Sequence, residues 1–191
     1  MRLIFAAPWR AMDAIYNEDP AVLRARQRAT LASYGLTTLE TRRFENTLLL
    51  SPTRQRLMGE YAKSLDGVAG RDELFRHAMN LTSEDEVEVF LQSTGLLVSL
   101  HARRPIKTIL SGLRLPTAQF ADGGIVVLGS FDAVYWTEDV ATDAAALHAL
   151  IPASQSGLEL WIAGTLSPRA SSELSARCWD VHDHAAETLA R

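Results

Sequence analysis

LELWIAGTLSPRASSELSARCWDVHDH, residues 158–184, decides the fold class of this chain. LELWIAG is a short run of strand-forming residues ending on Gly164. TLSP follows, with Ser167 placed to cap a helix and Pro168 at its first position, where the missing N–H costs nothing. WDVHDH, residues 179–184, is a second run with strand alternation. A strand, a helix and a strand in this order predict a unit in which the helix carries the chain back to the sheet.

Working outward, the periodicity changes at Pro105. After it, residues 106–110 read as a strand, and residues 117–120 and 125–128 flank Ala-Asp-Gly-Gly, a hairpin turn. Gly129-Ser130 is a second turn before FDAVYW, which predicts a meander. Thr137 caps a helix with Val140, Ala144, Leu147 and Leu150 on one face.

Before Pro105 the pattern is helical. Asp19-Pro20 opens a helix that Gly35 ends. Ser51-Pro52 opens another, with Leu57, Met58, Tyr61 and Leu65 on one side and Asp66-Gly67 as its stop. Leu74, Phe75, Ala78 and Met79 mark a third. Ser83 to Glu86 is a capping box, followed by Val87, Phe90, Leu91, Leu97 and Val98 at helical spacing. Residues 36–50 fit either a helix end or a short strand. The expected fold is therefore α+β, or α/β. A helical region, 1–104, packs with a small mixed sheet and covering helices in 105–191, as two parts or as one compact domain.

Composition narrows the function classes. With 47% hydrophobic and 22% charged residues among 191, the chain has apolar material for a core. Nineteen basic against 23 acidic residues leave −4, which supplies no bulk attraction for nucleic acid. Seventeen of the basic residues are Arg, a skew that fits a bacterial-like base composition. Residues 1–105 carry 14 basic and 13 acidic side chains, and residues 106–191 carry 5 and 10. Cys178 is the single cysteine, so no intrachain disulfide forms and a cytoplasmic location is expected. LIFAA, residues 3–7, is too short for a secretory or membrane-spanning segment, although a targeting segment upstream would change that reading.

Five groups of residues are candidates for chemistry. Gly164, Thr165, Ser167 and Arg169 stand where a strand feeds a helix N-terminus, a place that suits anions; plain turning and capping is the competing reading. No Gly-x-Gly-x-x-Gly or phosphate-loop ending accompanies them, and no cofactor is implied. Cys178, Asp180, His182 and His184 fall on one face if the segment is a strand. That donor set suits zinc, with Cys178, His182 and His184 as ligands, but an ordinary polar strand face explains it equally. His77 and His101 need a second converging group. Arg24, Arg26, Arg28, Arg42, Arg43, Arg54 and Arg56 read as solvated helix faces. Tyr135 and Trp136, adjacent on a strand, point to opposite sides, one toward the core and one toward a partner.

These signals predict a non-catalytic binding or interaction protein, with a protein partner or a second copy of itself. The alternative is a small-molecule or phosphate-binding protein, or an enzyme, that uses the turn at residues 164–169.

Overall fold

The computed structural model describes residues 19–149 and 157–190, so the 3–7 run and Leu150 lie outside the described residues. The chain divides between Arg42 and Arg43 into two compact units. In the first, α1 (Pro20–Ser33) starts on the Asp19 carboxylate, which accepts from Ala21 N at 2.8 Å. It ends at Gly35, whose φ of 102° lets Leu36 N reach back to the Leu31 carbonyl. Helix α2 (Thr38–Glu45) resolves the ambiguity of residues 36–50. Thr37 and Glu40 cap one another reciprocally, with Glu40 N on Thr37 Oγ1 and Thr37 N on the Glu40 carboxylate.

The second unit begins with three helices: α3 (Pro52–Ser64), α4 (Arg71–Ala78) and α5 (Glu84–His101). Ser51 caps α3 and Ser83 caps α5. Glu86 accepts from Thr82, one residue before the cap, at 2.7 Å from its N. Gln55 is buried in α3, and its amide donates to the Phe44, Glu45 and Leu50 carbonyls, satisfying the end of α2 and the turn after it.

The sheet starts where the helical pattern stops. Strands β1 (Ile106–Leu110), β2 (Thr117–Phe120) and β3 (Ile125–Gly129) pair antiparallel in turn, with the expected hairpin between β2 and β3. Beyond β3 the pairing turns parallel: β5 (Leu158–Ile162) lies beside β3, and β7 (Trp179–His182) beside β5, in the order β1-β2-β3-β5-β7. Parallel neighbours need crossovers. These are α6 (Glu138–Ala149), whose first turn is capped by Thr137, and α7 (Pro168–Ser175). Helix α8 (Ala185–Ala190) packs against α5, and Arg103 donates to the Leu189 carbonyl.

FDAVYW departs from the expected meander. Gly129-Ser130 does not reverse the chain, because Ser130 N is held by Ser93 Oγ at 2.8 Å and Gly129 O by Ala163 N. The segment runs on beside β5. Its β4 (Ala133–Val134) pairs parallel with β6 (Thr165–Leu166) in a separate two-stranded sheet.

β3 is buried at every position, as a strand covered on both faces must be. Ile125, Val127, Leu160, Ile162 and Trp179 form one face with Ala144 and Leu174 of the crossover helices. Val126, Leu128, Ala118 and Phe120 are fully buried on the other, and α5 packs against β3. Among the described residues no helix is long and apolar enough to cross a membrane.

Candidate functional site

The turn at residues 164–169 is built from inside the chain. Gly164 is required by a close approach: a Cβ there would meet the Asp132 carbonyl oxygen at 2.0 Å. Three of the backbone donors at this turn are already engaged. Gly164 N bonds Phe131 O, Thr165 N bonds Asp132 O, and Ser167 N bonds Val134 O. Ser167 Oγ caps α7 by accepting from Ala170 N at 3.2 Å. Arg169 is exposed. What reads as an anion cradle is the β4–β6 pairing followed by a helix cap.

The Cys/His segment is split in the same way. Asp180 and His182 lie on β7, with Trp179 and Val181 packed on the opposite, buried side, as strand alternation predicts. Cys178 and His184 stand outside the strand in left-handed backbone, with φ of 62° and 51°. The period of two therefore does not extend to either end, and among the described residues no group of three His, Cys, Asp or Glu side chains comes together to hold a metal. His182 stacks on Trp161 at 4.3 Å, and its Nε2 lies 3.3 Å from Asp180 and 3.8 Å from Glu159.

Tyr135 and Trp136 lie past the end of β4 and not on a strand, so alternation does not set their directions, yet they divide. Tyr135 is 68% exposed, while Trp136 packs against the core and carries the Arg177 guanidinium 4.8 Å above its ring. His101 accepts from Ile106 N through Nδ1 at 3.1 Å, joining α5 to β1. Arg43 holds Asn80, and Arg54 holds the Leu49 carbonyl and Glu84, so both serve the fold.

A different place gathers chemistry. Between the apolar face of the sheet and α6 lies a cavity of about 560 Å³. Its floor is Val127, Leu160 and Ile162, and Ala144, Leu147 and Leu174 wall it from the crossover helices. Two rings with nitrogen atoms complete the lining. Trp179, at the start of β7, is 4% exposed, and its Nε1 has no hydrogen-bond partner among the described residues. His77, in α4, stacks on Phe90 with ring centroids 4.5 Å apart. Its ring donates one N–H to the Leu113 carbonyl, while Nε2 is buried and unpartnered among the described residues.

Burial pushes the His77 pKa below its ordinary value, against the Leu113 hydrogen bond and the nearby Glu86, which raise it. The lowered value favours neutral His77. Both ring nitrogens are closed off from solvent within the wall. The charged lining groups are at the rim: Asp85, Arg114 and Asp143 are exposed, and Glu86 is occupied by Thr82. A second cavity, of about 300 Å³, shares His77 and Phe90 across the 111–116 loop.

The residues brought together here stand more than half the chain apart, on α4 and β7. His77 is recognisable in the sequence as a titratable side chain and Trp179 as a buried-face residue. Nothing local to either signals that they share one cavity. Comparison of the chain with protein-family models, with curated proteins and with solved structures finds no match.

Proposed function

We propose that this protein is a non-catalytic binding protein, and that its ligand is a small, largely apolar molecule held in the cavity under α6. The observation that carries this reading is a volume of about 560 Å³ with apolar walls. Small-molecule sites have this size and this ratio of apolar wall to placed polar groups. A binding role is favoured over catalysis by the lining. It includes no serine or cysteine among the described residues, and its one hydroxyl, Thr82, already bonds Glu86.

The test uses the full chain and N-phenyl-1-naphthylamine, whose fluorescence rises in apolar surroundings. Saturable binding of one molecule per chain is expected. Ala144→Trp, or Leu147→Trp where the first variant unfolds, fills the cavity and abolishes binding. Absence of binding, or binding that survives a folded filled variant, overturns the proposal.

A second reading rests on Tyr135, 68% exposed beside a Trp136 already engaged with Arg177. An exposed aromatic of this kind suits a protein partner or a second copy of this chain. Sedimentation of the parent and of Tyr135→Ser decides it: a concentration-dependent dimer lost in the variant supports the reading, and a monomer throughout removes self-association. An exposed Cys178 thiol suits a reducing, cytoplasmic compartment.

A further inference from the structure

The five-stranded sheet finishes its two edges differently. At β1 the chain covers its own edge. Ala69 N donates to the Lys107 carbonyl at 3.0 Å, and Ile109 N donates to the Ala69 carbonyl at 2.9 Å, bridging Ala69 to Thr108. Gly70 permits this approach, because a Cβ there would meet the Ile109 carbonyl oxygen at 2.6 Å. An irregular register between Ile106 and Thr108 and the exposed Lys107 further obstruct a foreign strand. β7 has no covering segment and no irregularity. It pairs with β5 in unbroken register from Trp179 to His182, and among the described residues no backbone group bonds its other side. Such an edge is a template for another strand.

The one guard left on β7 is the exposed carboxylate of Asp180, and the residue set opposite it decides whether it repels or attracts. Two identical antiparallel strands related by a two-fold axis pair about one residue, because directly opposite side chains share a face. Pairing about Asp180 sets two carboxylates against each other, which is destabilising. Pairing about Trp179 or His182 soon reaches Cys178 or His184, whose left-handed backbone ends the ladder. Pairing about Val181 keeps to the strand, and it sets Asp180 of each copy opposite His182 of the other. The imidazole is already placed at this edge. It stacks on Trp161 beside Glu159 and stays partly exposed. Its Nε2 is closed off, so Nδ1 is the polar atom left for a carboxylate of the second copy.

We infer that β7 pairs antiparallel about Val181 with β7 of a second copy of this chain, continuing the sheet across a two-fold axis. Asp180 of each copy then meets His182 of the other, so the guarding charge becomes a selective contact. The strand Trp179–His182 is short, and the resulting dimer is weak and concentration-dependent.

Sedimentation velocity of the full chain over a concentration series tests this. The parent is expected to form a reversible dimer. Asp180→Lys, at an exposed position, sets an ammonium against each His182 and is expected to weaken the dimer about tenfold over its two equivalent contacts. Tyr135→Ser is expected to leave it unchanged. Asp180→His combined with His182→Asp exchanges the two groups and is expected to recover the parent's association. Where circular dichroism shows that the exchanged variant is unfolded, Asp180→Lys decides alone. A parent that stays monomeric at every concentration overturns the inference and leaves the edge to a strand of another protein. A dimer as strong in Asp180→Lys as in the parent overturns it as well, and so does a folded exchanged variant that stays monomeric. A dimer lost in Tyr135→Ser and kept in Asp180→Lys overturns it in favour of the exposed aromatic.

Discussion

Trp161 and Trp179 sit on neighbouring parallel strands and face opposite sides of the sheet, and their indole nitrogens end differently. Trp161 Nε1 donates to Glu159 at 3.0 Å. Glu159, 13% exposed at its side chain, also accepts from Arg104, which reaches Asp122 and lies 3.7 Å over the Phe120 ring. On that face Ala118, Phe120, Val126 and Leu128 leave no exposed surface, while His182, stacked on Trp161, keeps a buried Nε2 without a hydrogen-bond partner among the described residues. Trp179 is in the cavity lining, and its nitrogen has no partner among the described residues. Each face thus keeps one buried ring nitrogen unpaired, and the faces differ in packing: one is filled by side chains, and the other bounds a cavity of about 560 Å³.

The largest way to break the contrast is at Gly164. Its hydrogen bonds hold the segment bearing Phe131 and Val134, both in the cavity lining, against the end of β5. Gly164→Ala places a methyl group on the Asp132 backbone, which a flexible side chain cannot relieve. The expected cost is more than about 3 kcal/mol, lowering the melting temperature by roughly 10 °C. Probe binding should be lost with the displaced wall. A calorimetric scan that matches the parent would show that this wall is not rigid.

A paired substitution compares the two faces directly. Ala118 is fully buried on the packed side and Ala144 lines the cavity. Adding the same three carbons to each separates a filled interior from an accommodating one. Ala118→Leu overpacks and should cost about 1–3 kcal/mol. Ala144→Leu has room and should stay within about 0.5 kcal/mol of the parent. Urea unfolding of both variants measures the difference, and equal penalties would mean that the two faces are equally tight.

Local devices were legible in the sequence because their physics is local. Asp19, Ser51, Ser83 and Ser167 each cap the helix expected of them. The change of period at Pro105 coincides with the first strand, and Ala-Asp-Gly-Gly makes its hairpin. The Thr37/Glu40 capping box was equally readable, but the Leu run at 48–50 competes with it as a strand signal. Leu48 is 98% exposed and Leu50 2%, which is the mark of a turn that uses one leucine as an anchor. Where pairing is non-local the sequence is silent. β4 chooses β6 because Gly164 admits the Asp132 backbone, and no pattern in FDAVYW records that choice. The cavity is further still from local information. It exists because the crossover helix α6, the 111–116 loop and the first turns of α5 leave space over one face of the sheet.

The smallest expected effect is the most specific to that space. Burial lowers the His77 pKa from its ordinary 6.5, so the unfolded chain binds a proton that the folded chain resists. The sign follows: this group's contribution is fully present above about pH 6.5, and it is lost as pH falls from there through the lowered folded value. Glu86, which faces His77, opposes the shift without reversing it, and Arg114 in turn faces Glu86. His77→Phe should therefore flatten the fall in stability between neutral pH and the acid side of 6.5, leaving the carboxylate-driven loss at lower pH. A fall that His77→Phe leaves unchanged would place its cause in the carboxylates alone.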